Sequence, residues 1–291
     1  GGLKTNLLVW ESDVLPPGWA GSLERACDLV LVPSAFTLEA LLRAGFPASR
    51  ASVVSYGFDP ALLDIEPPPS PGPADGPFTF LAVLAPHWRK GVRELLGAYR
   101  AAFSSRDDVL LAIKTTYDPG LRRKQQAFEI PSWMGVLEDA RLLEAGAPRV
   151  RLDVRIAQDS EIPRIYESAH VVVAPAWGES FGLSILEGLA AARPVLATGW
   201  GGHLGFLPQG PDVLPHRLVE AGNSLYEAAL GARAAIPDVE ALRARLRWHF
   251  EHPRESREAG EACRQSVKGR TWLRAGQCLL DALTSASGRR G

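Results

Sequence analysis

The stretch VVVAPAWGESFGLSILEGLAAARPVLATGWGG, residues 171–202, contains a β-branched run, a turn, a helix of small and apolar residues and a second apolar run. VVVAPA is expected to be a buried strand, residues 182–192 a helix and RPVLAT the next strand. This is the pattern of a parallel sheet covered on both faces. Two carboxylates stand out in it. Glu179 lies in the turn ahead of the helix, and Glu187 lies two turns inside it among Leu, Ile, Gly and Ala. A charge on an apolar element is usually paired or functional. The plainer alternatives are that Glu179 answers the positive end of the helix dipole and that Glu187 sits on an exposed face. Ser180 is expected to cap the helix, with free amides starting near Phe181 and Gly182. Gly182 would let a ligand approach the backbone closely.

The same alternation runs outward in both directions. NLLVW, DLVLV and ASVVSYG are strand-like; a short helix is expected near Gly18 to Ala26, and another in SAFTLEALLRAGF, with Ser34 as cap and Gly45 just past its end. Residues 60–77 are dense in Pro and Gly and have no period, which marks a linker. A second series follows: FTFLAVLA, a helix over 91–104, DVLLAIK, a mostly helical segment over 122–146 broken at Pro131, RVRLDVRI and a helix over 160–169. From about Asp238 the chain is helical and rich in Arg and Glu. The expected division is a first α/β domain over 1–66, a linker over 67–77, a second α/β domain over 78–253 and a helical segment over 254–291.

Composition excludes several classes. The 291 residues are 46% hydrophobic and 22% charged, with 32 Lys and Arg against 33 Asp and Glu, so no net field draws the chain to nucleic acid or an anionic membrane. Any anion site must be local. No apolar run has the length of a membrane span and no leader pattern opens the sequence, so a cytoplasmic protein is expected. The three cysteines, Cys27, Cys263 and Cys278, are far apart and argue against both a disulfide framework and a zinc ribbon. His249 and His252 lack a third ligand nearby and are expected at the surface. P-loop, dinucleotide-binding and esterase motifs are absent from the sequence.

Ligands of parallel α/β sheets bind beyond the carboxyl ends of the strands. Three loops at such ends carry unusual chemistry. APHWRKG, residues 85–91, places Arg89 and Lys90 between a strand and a helix, a phosphate site or simply a solvated basic turn. The second loop holds Glu179. TGWGGHLGFL, residues 198–207, supplies a glycine-rich turn and His203.

In this context GESFGLSILEGLAAARPVLAT resembles the E-x7-E motif of the retaining glycosyltransferases of family 4, which have the GT-B fold of two Rossmann-like domains facing a cleft. The RKG after the first strand of the second domain, the later GG, VVSYGFDP and VPSAF fall in that family's order, over roughly residues 5–207. The resemblance implies a hexosyltransferase-type enzyme that moves a sugar from a nucleotide-sugar donor to a glycan, lipid-linked or small-molecule acceptor, in the cytoplasm or peripheral to the membrane, in polysaccharide or glycoconjugate synthesis. It implies that Arg89 and Lys90 hold the donor's diphosphate, that Glu187 accepts the ribose hydroxyls, that Glu179 faces the transferred sugar, and that Ser180, Phe181 and Gly182 line the donor. No D-x-D pair is present to hold a divalent ion, so no metal and no other cofactor is expected, and no nucleic-acid partner. The final helices are expected to cross back to the first domain. Two departures accompany the likeness. The glycine-rich loop that opens the family's first domain is missing, so the sequence looks like a fragment. In addition, LLVWESD carries Trp10 and Glu11 where many members have a histidine, with Glu11 directed at donor sugar, acceptor or solvent. A nucleotide-sugar epimerase and a non-catalytic nucleotide- or glycan-binding module are the alternative readings.

Overall fold

The computed structural model describes residues 2–68, 76–115, 132–221 and 231–288. The first sheet has three parallel strands in the order β1 (Thr5–Leu7), β2 (Leu29–Val32) and β3 (Ala51–Val53). Helices α1 (Trp19–Ala26) and α2 (Ala35–Arg43) make the crossovers. Ser34 caps α2, its Oγ accepting from the Thr37 amide at 3.3 Å, and Gly45 takes φ 90° just past its end. Such a left-handed residue suits glycine best.

The second sheet contains β4 (Phe78–Val83), β5 (Val109–Lys114), β6 (Arg149–Asp153), β7 (Val171–Ala174), β8 (Val195–Thr198) and β9 (Val213–Leu214), all parallel, in the order β6-β5-β4-β7-β8-β9. Strand order therefore reverses at β4, which has β5 on one side and β7 on the other. Alternate side chains of β4 face opposite cores. Phe78, Phe80 and Ala82 pack with α3 (Val92–Ala102), α4 (Trp133–Asp139) and α7 (Val239–Glu251). Leu81 packs with α5 (Ile162–Glu167) and α6 (Leu183–Ala190).

Several expectations need correction. Residues 60–65 are not extended linker. Pro60–Asp64 forms a 3-10 turn capped by Asp59, and Leu62 and Ile65 are buried in the core around α6. The helix expected to reach residue 146 ends at Asp139, because Arg141 and Gly146 take φ 57° and 84°; its portion over 122–131 lies outside the described residues. An antiparallel ribbon of β10 (His216–Glu220) and β11 (Arg233–Pro237), not foreseen in the sequence, precedes α7. His249 is fully buried rather than at the surface, with Nδ1 at 2.8 Å from Ser256 Oγ and Nε2 at 3.0 Å from Asp212.

Two late segments complete the first sheet. Val219, Ala221, Ala232 and Ala234 of the ribbon and its tip pack with Leu8, Trp10 and Val32. On the other side, α9 (Trp272–Gly288) lays Leu279, Leu283 and Ala286 against Leu29, Leu31 and Val54, so the last helix does cross back. Between them, α8 (Pro253–Val267) crosses the end of α6 at Gly260, where a Cβ would lie 2.2 Å from the Ala192 carbonyl oxygen. Gly260→Val is expected to lower stability by about 1–3 kcal/mol through overpacking, read as a lower thermal unfolding midpoint.

Candidate functional site

The loops after β4 and β7 meet where the strand order reverses, the place at which open parallel sheets leave a crevice. They are packed back to back. Gly91 takes φ 68°, and a Cβ there would lie 1.9 Å from the Pro175 carbonyl oxygen, so only glycine fits. The Trp177 amide donates to the Arg89 carbonyl at 2.7 Å. Within the first loop, Trp88–Lys90 forms a 3-10 turn capped by His87, whose Nδ1 accepts from the Arg89 amide at 3.0 Å. This cap, unnoticed in the sequence, sets the direction of both cations. Its signal was a polar side chain two residues ahead of Arg89.

Both cations turn toward Glu179, which is 9% exposed. Lys90 Nζ donates directly to Glu179 Oε1, and Arg89 Nη1 lies 3.9 Å from Oε2. Arg89 Nη1 also donates to the Gly178 carbonyl at 2.6 Å, and Nη2 lies 3.1 Å from Glu11 Oε1 on the first domain. Burial alone pushes the Glu179 carboxyl up, but Lys90 and then Arg89 outweigh it, and the net shift is downward. Glu179 is therefore ionised and fixed by opposite charge.

The third loop closes the base of the site. The Gly202 amide donates to the Glu179 carbonyl at 2.7 Å, and a Cβ on Gly202 would lie 1.8 Å from the Ser180 carbonyl oxygen. That carbonyl also accepts from Ser34 Oγ at 2.5 Å, joining the cap of α2 to the site. His203 is fully buried, with Nε2 at 2.7 Å from the Thr198 carbonyl. A carbonyl can only accept, so Nε2 carries the hydrogen. Nδ1 has no hydrogen-bond partner among the described residues.

Arg89, Lys90 and Glu179 thus come together. Ser180 is not the helix cap: Gly182 occupies that position in the left-handed region at φ 88°, and α6 begins one residue later. Gly182 has room for little else, since a Cβ would lie 3.0 Å from both His203 Cβ and Ile185 Cδ1. The Phe181 ring is buried against Tyr56 and Phe206, at 5.1 and 4.9 Å between centroids. Glu187 stands apart from the cation cluster. It accepts from the Tyr166 hydroxyl at 2.7 Å, and burial raises its carboxyl above the usual range while Tyr166 partly offsets that. Tyr166 is a partner that no sequence pattern announced. A cavity of about 750 Å³ opens at the carboxyl ends of β5 and β6 beside α5, lined by Leu81, Ala112, Lys114, Asp153 and Ile165 among others, and none of the four charged candidates lines it. Among the described residues no cluster of His, Cys, Asp and Glu is arranged to hold a metal ion.

Comparison with known proteins gives a consistent picture. The family described as glycosyl transferases group 1 matches residues 78–230. A D-inositol 3-phosphate glycosyltransferase from Paenarthrobacter aurescens is 29% identical over 178 residues, 56% of this chain and 41% of that protein. The Arabidopsis thaliana sulfoquinovosyl transferase SQD2 is 31% identical over 139 residues, 47% of this chain and 24% of that protein. The chain therefore spans less than half the length of these relatives. Anabaena HepE, solved with UDP and glucose, superposes with a TM-score of 0.69 at 17% identity, covering 91% of this chain and 65% of that one. Sucrose-phosphate synthase from Thermosynechococcus elongatus gives 0.64 at 22% identity, covering 93% and 59%. The fold is GT-B, two Rossmann-like α/β units, the first of which has three strands here.

His87 offers a direct check on the loop. Burial, then Arg89 and Lys90, lower its pKa from 6.5 to about 4. The unfolded chain binds the extra proton first, so its contribution to stability is lost as pH falls from 6.5 through about 4. An NMR titration is expected to place the His87 midpoint near 4, well below an ordinary histidine.

Proposed function

The chain belongs to the glycosyl transferases of group 1, and from that premise we propose that it acts in the manner of family 4: retaining, metal-independent transfer of a sugar from a nucleotide-diphosphate sugar to an acceptor hydroxyl. The observation that carries this reading is the convergence of Arg89, Lys90 and Glu179 at the strand-order reversal of the second sheet. A departing diphosphate needs positive charge already in place, and two cations fixed by one buried carboxylate supply it. The complexes of HepE with UDP and glucose and with UDP-glucose support a nucleotide-sugar as donor class.

In this reading Arg89 and Lys90 hold the diphosphate, assisted by the amides that open α6. The cavity at the ends of β5 and β6 takes the nucleobase. Tyr166 occupies Glu187 Oε2, so the ribose hydroxyls fall to Oε1. Glu179 faces the transferred sugar. The bond between the anomeric carbon and the diphosphate oxygen breaks while the acceptor oxygen bonds to that carbon on the same face. The acceptor's proton passes to the departing phosphate oxygen, so no protein nucleophile is required. The proposed acceptor is a glycan, a lipid-linked or a small-molecule hydroxyl, with polysaccharide or glycoconjugate synthesis as the proposed setting.

Titration calorimetry with UDP and UDP-glucose tests the division of labour. Glu187→Ala is expected to weaken both ligands by more than tenfold, since a hydrogen bond to a charged group is worth about 1.5–3 kcal/mol. Glu179→Ala is expected to spare UDP and to weaken UDP-glucose or its turnover. If neither change affects either ligand, the pair is structural and the reading fails. Binding and sugar transfer are also expected to persist in EDTA; loss on chelation with recovery on Mg²⁺ or Mn²⁺ would show that a metal is needed.

A further inference from the structure

We propose that Glu11 is a resident counter-anion of the donor site: its carboxylate, carried by the first domain, holds Arg89 until a phosphate of the ligand takes its place. The proposal rests on the donor reading given above and names a residue which that reading does not include. Among the described residues the cluster contains two carboxylates, Glu11 and Glu179, and two cations, Arg89 and Lys90, and these four groups carry no net formal charge. A self-neutralised cluster attracts a diphosphate weakly. Binding becomes favourable once one carboxylate gives way.

The geometry selects which one. Glu179 is paired with both cations, its own carbonyl is tied to Gly202, and its side chain is 11% exposed. Among the described residues Glu11 pairs with Arg89 alone, and its side chain is 24% exposed. Its Oε1 lies 3.1 Å from Nη2 of a guanidinium whose side chain is 13% exposed, so the more exposed member of the pair is the carboxylate. Movement is confined to the side chain, because the backbone around it is clamped. The Glu11 carbonyl lies against Gly178, where a Cβ would come within 2.4 Å. The next two residues fasten the segment to β11: Ser12 Oγ donates to the Arg233 carbonyl at 2.9 Å, and Asp13 accepts from the Arg233 amide at 3.0 Å and from its Nε at 2.6 Å. Rotation about the Glu11 side chain thus exchanges one anion for another without parting the two sheets. A dianionic phosphate displaces it, whereas an uncharged nucleoside has nothing with which to compete.

Glu11→Gln keeps the shape and removes the charge. Calorimetry with inorganic pyrophosphate and with UDP is expected to show at least tenfold tighter binding to this variant than to the parent, with steeper weakening by salt and with uridine affinity unchanged. Glu11→Asp, whose carboxylate stands one methylene back from Arg89, is expected to fall between the two, and it decides the matter if Glu11→Gln does not fold. Pyrophosphate affinity that is unchanged or weaker in both variants, or absent throughout, overturns the proposal. A gain for pyrophosphate without one for UDP supports Glu11 as the counter-anion and counts against the nucleotide reading; UDP bound by the parent with no gain in the variants does the reverse.

Discussion

Everything at the site depends on how closely the loops after β4 and β7 can approach. A single β-carbon at position 91 would collide with the Pro175 carbonyl, and the backbone bond from Trp177 to Arg89 exists only because that collision is absent. Once the loops touch, Arg89 and Lys90 stand beside a carboxylate that would otherwise be buried without a partner. Desolvating a carboxylate is costly, and the two cations recover that cost. The arrangement is therefore stable as a unit rather than as separate contacts. Gly202 plays the matching part on the other side, admitting the Ser180 carbonyl and with it the first domain's Ser34.

The features legible in the sequence were those written in local period and spacing. Alternating residues of β4, the cap at Ser34, the glycine after α2 and the strand on either side of α6 are dictated by neighbours within a few positions. Arg89, Lys90 and Glu179 could be singled out for the same reason: each follows a strand directly. What escaped is long-range or backbone-driven. Ser180 has the chemistry of a cap, yet Gly182 can enter the left-handed region, and that freedom moved the cap two residues along. His249 looked like a surface histidine because its partners, Asp212 and Ser256, lie outside any periodic pattern linking them to it. The pairing of Glu11 with Arg89 spans two domains and has no local signature.

Electrostatics at the two motif glutamates differ although both are largely withdrawn from solvent. Glu179 gains two cations and stays ionised, whereas Glu187 has only a neutral hydroxyl, and burial raises its carboxyl. The same residue type, eight positions apart, thus meets a strongly polar surrounding at one end of the motif and a mostly apolar one at the other. Such divergence suits one carboxylate to fixing charge and the other to hydrogen bonding with hydroxyl groups.

The ribbon of β10 and β11 joins α1 and α2 on one face of the first sheet and α9 covers the other, so each face draws on residues far along the chain. During synthesis the opening strands leave the ribosome long before either cover exists. Contacts of such sequence separation form late and carry a large loop-closure cost. The second sheet has distant partners too, since β4 pairs with β7 and packs on α7. Strands β1–β3 are therefore made before the segments that complete their cover, and their apolar faces stay partly open until the ribbon and α9 have been synthesised.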